Sequence, residues 1–544
     1  MKRILNSNRV RRMGPPLGAA LLLGVFSFGL ILNTSEMGYT RDESFYFRFA
    51  QVYQDWFVGV ALEEAGTVSD GKPSNLSRGS ILRTWRQNYE HPPLVKVTMG
   101  YLWRTFGRKE RPATYSSPPK NEGVGRSAFP RAVPGALRVR EIGASHGFDV
   151  GERVKVLAPQ QVQQAAGDEE RLLGWGTVIR RGTKDARVRL DPGLDRRVES
   201  ACKKYRPGPS FIRGCSVESP GILSEGTAMR LVGPLFSAIL VFAMVLWGWF
   251  ELHPLVGVLS PLLFLATPRW FYHAHLAAFD MPVTTMVFLV AAAFWLSLKR
   301  ASWAWVAALL WGMALLTKHN SLFLPVPLIC YWLLAGRSGI EIKARKWTRE
   351  TWWGLCAIVL VAVALPLGTP VARFLVALVL AIGFCGVWLR LPRIPLAFLL
   401  MPPIGFLMFF SLWPKLWVDP YRALEAYLNF HLKHEHYLQY YFGRVMEVPP
   451  FPVDLPFVLT VLTVPVLTLV AFVFGAFDLS APAIASFKAR FSGLKPPYFS
   501  ASVISRGQFG LYLGLQIFAP IALIALPNTP IFGGVKHWMT AMPF

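Results

Sequence analysis

The chain has 544 residues, 53% of them hydrophobic and only 16% charged, with a mean hydropathy of +0.36 and a formal net charge of +25. Ordinary globular domains carry about 25% charged residues, so this surface cannot all face water. A cytosolic enzyme, a disordered chain and a small disulfide scaffold are excluded. The basic balance invites a nucleic-acid reading, but the cations are scattered between apolar runs, as at the loop ends of a multispanning protein, and nucleic acid is set aside as a partner.

The N-terminus reads MKRILNSNRVRRMG, then PPLGAALLLGVFSFGLILN. Five basic residues and no acid in the first 33 place this end in the cytoplasm. The poor cleavage site Asn33-Thr34-Ser35 favours an uncleaved first span over a signal peptide. Residues 34–227 then form a long polar segment on the far side. Within it, residues 41–60 and 92–107 mix aromatic, apolar and basic side chains and read as interfacial helices. Residues 150–191 change character. ERVKVL, GWGTVIRRG and DARVRLD are short, β-branched and partly alternating, which predicts a small β-barrel-like insert. Cys202 and Cys215 lie in this polar stretch and can pair if it is extracytoplasmic, though spacing alone leaves the pairing open. Cys330, Cys356 and Cys385 lie in apolar runs as ordinary small core residues.

From Met229 apolar runs recur at 229–250, 254–267, 281–298, 302–316, 320–335, 351–368, 371–388, 394–412, 454–474 and 507–526. With the first span this makes about eleven, several shorter than the roughly 20 residues of a full crossing. Alternation from a cytoplasmic N-terminus puts Lys299-Arg300, the cluster Lys343, Arg345, Lys346 and Arg349, and the pair Arg390 and Arg393 inside, as the positive-inside rule requires. The last residues begin another apolar run, which suggests that a further span follows. The expected fold is an all-α polytopic membrane protein with a large outer loop carrying interfacial helices and a small β-rich insert. Its parts are residues 1–107 (first span and start of the outer loop), 108–227 (the insert) and 228–544 (the multispanning core).

Under this topology ionisable residues gather on the outer face in five places. Asp42-Glu43 follows the first span; a carboxylate leaving the bilayer can act as a general base, or it can be a solvated pair balancing Arg41. Tyr89-Glu90-His91-Pro92-Pro93-Leu94-Val95-Lys96 makes a rigid corner before a helix, where Glu90 and His91 can offer oxygen and nitrogen to a metal or a phosphate-sugar. Pro268-Arg269-Trp270-Phe271-Tyr272-His273-Ala274-His275 leads to Asp280-Met281-Pro282. Its Arg269, His273, His275 and Asp280 lie between two spans, where ionisable groups are costly and usually functional. Asp280 also suits a helix N-cap. Thr317-Lys318-His319-Asn320 offers a lysine to a lipid phosphate, or a snorkelling side chain. His431-Leu432-Lys433-His434-Glu435-His436 places three histidines and a glutamate on one short segment, which suits a divalent metal or an anion.

Taken in order, DE after the first span, YEHPPLVK, MRL, TPRWFYHAHLAAFDMP, LLTKHNSLFLP, WPKLWVDP with FHLKHEHYLQYYFG, and TPIFGGVKHW resemble the protein O-mannosyltransferases of glycosyltransferase family 39 and the related lipid A aminoarabinose transferases. These belong to the C-type membrane glycosyltransferases. The resemblance covers most of residues 16–107 and 229–544 and leaves 108–227 aside. It implies transfer of a sugar from a polyprenyl-phosphate donor to a protein or glycolipid acceptor on the extracytoplasmic face, by inversion. It implies Asp42 as catalytic base with Glu43 as its partner. Arg230, Lys318, Arg269 and Lys96 are implied at the donor phosphate, and a divalent metal near Glu90 and His431. His91, His273, His275, Asp280, His434 and His537 are further candidates around the site. His91 departs from relatives that carry Lys after the Glu. A transporter or lipid flippase is the rival reading, and it needs charges and broken helices near the midplane.

Overall fold

The computed structural model describes residues 7–34, 37–64, 74–116, 136–140, 147–148, 151–158, 160–161, 172–181, 185–204, 211–213, 215–335, 394–432, 437–491, 506–529, 531 and 533–544. The expected spans at 351–368 and 371–388, and the residues His434, Glu435 and His436, lie outside them. The chain divides into two compact units, one of residues 1–34, 89–94 and 233–544, the other of residues 35–88 and 95–232.

The helices are taken in chain order. They are α1 (Ser7–Asn33), α2 (Arg41–Glu64), α3 (Arg78–Trp85), α4 (Leu94–Phe106), α5 (Asp195–Lys204), α6 (Glu225–Arg230), α7 (Val232–Glu251), α8 (Pro254–Leu265), α9 (Pro268–Ala274), α10 (Asp280–Lys299), α11 (Trp303–Leu315) and α12 (Pro325–Ala335). Further helices run Leu396–Ser411, Lys415–Val418, Pro420–Leu432, Leu455–Thr463, Val466–Phe491 and Arg506–Ile524.

Among the described residues four stretches are long and apolar enough to cross a membrane: Met13–Asn33, Glu225–Glu251, Asp280–Lys299 and Arg506–Ile524. Two bent pairs add to them. Pro254–Leu265 and Pro268–Ala274 meet at 77°, and Leu455–Thr463 and Val466–Ser480 at 116°. The expected spans at 302–316, 320–335 and 394–412 are shorter apolar helices. The first bend follows from sequence. Pro268 cannot continue the ladder of α8 and restricts Thr267, whose φ and ψ of −86° and 113° are extended. Within this unit α1 meets α7 through the buried pair Ser27 and Ser237, whose hydroxyls lie 3.1 Å apart. Helix α11 and Leu396–Ser411 cross at glycines. A Cβ on Gly312 would stand 3.3 Å from the Gly405 Cα. Small residues at a crossing let backbones approach where lipid offers no hydrophobic drive.

The other unit joins α2, α3 and α4 to a β-barrel. Helix α3 starts at Ser77, whose hydroxyl accepts from the Ser80 amide. Tyr53 of α2 stacks on Trp85 of α3 with ring centroids 4.0 Å apart. The strands are β1 (Gly107–Arg108), β2 (Glu110–Ser116), β3 (Ala136–Arg140), β4 (Arg153–Leu157), β5 (Gln160–Gln161), β6 (Leu172–Arg181), β7 (Asp185–Leu190), β8 (Phe211–Arg213), β9 (Ser216–Glu218) and β10 (Leu223–Ser224), followed in the first unit by the hairpin β11 (Gln439–Tyr441) and β12 (Arg444–Met446).

Strands β2-β3-β7-β6-β4-β9 close into a barrel, antiparallel at every pair. Leu137, Phe148, Val154, Val156, Val178, Val188 and Val217 fill its core. Alternate residues of each strand point inward, so a short β-branched pattern suffices to set the register. The β structure reaches from Glu110 to Glu218, beyond the expected 150–191. Strand β2 carries Pro112 and β9 is only three residues long, so neither shows a readable alternation. Cys202 and Cys215 are joined as a disulfide, with Cα atoms 5.4 Å apart, which ties α5 to the residue before β9.

Candidate functional site

The Asp42-Glu43 pair opens helix α2, and its two carboxylates have opposite fates. Thr40-Arg41-Asp42-Glu43 has the spacing of a capping box, and Glu43 supplies its half of it. Glu43 reaches back, and its Oε2 accepts the Thr40 amide at 2.8 Å and the Thr40 hydroxyl at 3.2 Å. Fully buried, Glu43 also receives Arg230 in a fork, Nε to Oε1 at 2.7 Å and Nη2 to Oε2 at 2.7 Å. Arg230 gives its other N–H groups to the carbonyls of Met37 (2.7 Å) and Gly38 (2.9 Å), and its guanidinium lies 4.5 Å from the Tyr39 ring centre. Two side chains thus fix the turn of residues 37–40 and the start of α2. Asp42 is exposed and, among the described residues, makes no hydrogen bond or ion pair. One carboxylate is saturated and holds the backbone. Its neighbour is displayed and available to accept a proton.

Lys96 and Arg230 therefore have occupations other than the expected phosphate contact. Lys96 is fully buried on α4. Its three donors go to the Asn88 carbonyl (2.7 Å), the Asn88 side-chain oxygen (2.9 Å) and the Tyr53 hydroxyl (3.4 Å). It closes the corner at Asn88, a residue held at φ 51°, in the left-handed region that Asn tolerates. A buried ammonium persists only with such a full set of acceptors.

The second group lies in the other unit. Asp280 is the first residue of α10, but it caps nothing. The N-cap is Phe279, and no side-chain cap bond forms. The buried Asp280 carboxylate instead accepts from Lys318 Nζ at 2.7 Å and faces His273 Nδ1 at 3.6 Å. Lys536 lies within electrostatic reach of both Asp280 and His273, and Arg269 within reach of His273. Lys318 and Lys536 thus lie near the Asp280 carboxylate, and Arg269 near His273. Among the described residues Lys318 has matched one of its three donors, and the exposed Arg269 none. Lys536 was not among the expected site residues, although GGVKHW was part of the pattern that pointed to the family.

His275 serves structure. Its Nδ1 lies 2.6 Å from the Phe271 carbonyl and its Nε2 2.7 Å from the Thr34 hydroxyl. Thus α9 is pinned to the end of α1.

Four further histidines converge. His319 and His431 stack at 3.8 Å, and His91 and His537 lie in electrostatic reach of His319. His91 stacks on Phe279 at 4.3 Å. The expected metal pair is not a chelating pair here: His431 Nε2 is engaged with the main-chain oxygen of Glu90 at 2.9 Å. Among the described residues no group of three or more His, Cys, Asp or Glu is arranged to hold a metal ion. Near this corner Lys415 lies over the Tyr89 ring at 4.0 Å. Burial lowers its pKa, opposed by the Glu90 carboxylate.

No family model and no curated protein matches the chain. Two solved structures resemble part of it. ArnT from Cupriavidus metallidurans in the apo state is 15% identical, with a TM-score of 0.31, over 59% of this chain and 44% of that one. ArnT from the same organism bound to undecaprenyl phosphate is 15% identical, with a TM-score of 0.29, over 59% and 45%. The chain thus spans less than half the length of these structures, and a likeness so partial carries no argument about substrate or mechanism.

Proposed function

We propose that this protein is a membrane glycosyltransferase that moves a sugar from a polyprenyl-phosphate donor to a protein or glycolipid acceptor on the extracytoplasmic face. The observation that carries the reading is the division of labour at the start of α2. Glu43 is saturated by Arg230 and Thr40, while Asp42 stands exposed and unengaged beside it. The motif order read from the sequence agrees with it.

In the reaction, the acceptor hydroxyl attacks the anomeric carbon while Asp42 takes its proton. The C–O bond to phosphate breaks with its electron pair going to oxygen, so polyprenyl phosphate leaves as an anion and the configuration inverts. The charge that develops on the phosphate oxygen calls for a cationic partner, the role that the sequence resemblance implies for Lys318. One base suffices, because the nucleophile is the acceptor and not water. The test is transfer from a radiolabelled polyprenyl-phosphate sugar by purified protein in detergent. Labelled glycoprotein or glycolipid supports the reading, and an intact donor after long incubation with candidate acceptors refutes it.

One observation favours the rival transporter reading: Arg269 and His273 sit on the short second limb of a helix pair broken by 77°. Broken helices carrying charge are a mark of transport sites. Movement of a labelled lipid across proteoliposomes without any bond cleavage is the outcome that reading requires.

A further inference from the structure

The hairpin of β11 and β12 carries a pattern that the proposed transfer chemistry does not use. Its register sets Tyr440 opposite Val445 and Tyr441 opposite Arg444, and residues directly opposite share a face. One face turns inward: Tyr441 and Met446 pack against the core of Phe451, Leu455 and Ile531. The other face presents Tyr440 and Val445, with Leu438 before them and Phe442 at the tip, and all four are exposed.

The tip is the two-residue turn Phe442-Gly443, with φ of 44° and 75°. A hairpin turn with both φ positive is the place for Asn-Gly or Gly-Gly, because a bulky side chain is strained in the left-handed region. Here an aromatic ring takes that position and is 75% exposed, beside Tyr440 at 77%. In water the ring adds strain and gains no packing. Burial in an apolar surround would offset that strain.

The chain ties this hairpin to the membrane-length stretches. The Tyr441 hydroxyl donates to the Asp454 carboxylate at 2.6 Å, and Asp454 precedes Leu455–Thr463, the first limb of a bent pair apolar enough to cross a membrane. Ile524, the last residue of the stretch Arg506–Ile524, packs against the same core as Tyr441. The hairpin thus stands at the ends of two apolar stretches, where aromatic side chains favour the boundary between water and lipid. We propose that the tip and outer face of the hairpin dip into the bilayer interface, with Leu438, Tyr440, Phe442 and Val445 in contact with lipid. The docking is independent of the transfer reaction and would hold if the protein had another activity.

The experiment uses the full chain in nanodiscs, one copy per disc. Cys330, Cys356 and Cys385 are replaced by Ser, and a small neutral fluorophore is attached through Val445→Cys. Lipid brominated on the acyl chain near the headgroup should quench most of its emission, because an interfacial apolar face lies about 5–10 Å into the headgroup and acyl boundary. Aqueous iodide should quench it little. Y440T/F442N removes both rings and gives the turn a residue it favours, so its melting midpoint should stay with the parent's. In that variant quenching by brominated lipid should lose most of its extent, and quenching by iodide should rise. Strong quenching by iodide with none by brominated lipid overturns the proposal, as does unchanged quenching by brominated lipid in Y440T/F442N. Energy transfer between labelled copies in discs that hold two, with no quenching by brominated lipid, also overturns it, because the occupant would then be a second copy.

Discussion

At the scale of single residues, the adjacent acids at the start of α2 should behave as different kinds of group. Glu43→Gln removes the charge that Arg230 and Thr40 share and leaves a buried guanidinium uncompensated. Breaking one partner of a buried pair costs about 3–5 kcal/mol, so thermal melting of Glu43→Gln should shift down by several degrees. Asp42→Asn touches no contact among the described residues and should melt like the parent. If the two variants melt alike, the assignment of holding and reacting roles is wrong. Lys318 and Asp280 make a similar case. Lys318→Met strands a buried carboxylate and should cost about 3–5 kcal/mol, whereas K318M/D280N removes both charges and should recover most of that loss. A double variant no more stable than Lys318→Met refutes the pairing. The residue types of these sites were legible in the sequence, because acids, lysines and histidines are costly beside a membrane and stand out there. Their assignments were less so. Thr40-x-x-Glu43 is a recognisable cap signature, yet nothing local shows that Arg230, far along the chain, completes it. Nothing local to Lys96 shows that Asn88 and Tyr53 accept from its ammonium.

At the scale of elements, the barrel and the helix crossings make separate predictions. The disulfide closes a loop with a sequence separation of 13. A loop of that length constrains the unfolded chain by about 3 kcal/mol, so Cys202→Ser should lower the barrel's unfolding midpoint accordingly, and reduction of the parent should reproduce the effect. No change in either case means that the bridge does not form in the native protein. Helix α4 crosses α2 at Gly100, where an added Cβ would stand 2.5 Å from the Ala50 carbonyl oxygen. Gly100→Val should therefore separate the two helices and destabilise this unit by about 1–3 kcal/mol, as overpacking does, read as a lower melting midpoint. Lys109 supplies a pH signature. It is buried, with Nζ 2.9 Å from the Gly147 carbonyl and 3.7 Å from Glu152, and burial lowers its pKa despite that carboxylate. The unfolded chain then binds more protons, so this residue's contribution makes stability rise with pH between the lowered folded value and the unfolded value of about 10.5. Lys109→Met should flatten that rise in a denaturant series from pH 8 to 10.5; an unchanged slope rules Lys109 out as its source. Strands β4, β6 and β7 lie in the expected 150–191, whereas β3, where Leu137 and Val139 alternate with arginine in the sequence, was readable but was left outside that range. Strands β2 and β9 were hidden because Pro112 and a three-residue length leave no pattern to read.

At the scale of the whole molecule, the membrane character follows from composition, and the first span, 225–251, 280–299 and 506–524 are apolar over enough length to show it. The first bend falls where the expected run 254–267 ends, before Pro268, which has no amide to donate. The second lies inside the expected run 454–474, because hydropathy averaged over a window passes through it without a break. Orientation rests on the placement of cations, so it too is testable. A cysteine replacing the exposed Pro192 should react with an impermeant thiol reagent in intact cells, and labelling only after lysis would invert the topology. The central claim is that Asp42 is the base of a sugar transfer from polyprenyl phosphate. Its most direct test is the turnover of Asp42→Asn with a labelled polyprenyl-phosphate sugar and saturating acceptor, beside the parent protein and at equal folded concentration. Loss of a general base costs about 10²–10⁴ in rate, so the variant should fall by that factor while its melting midpoint stays with the parent's. Near-normal turnover of a well-folded Asp42→Asn would contradict the account.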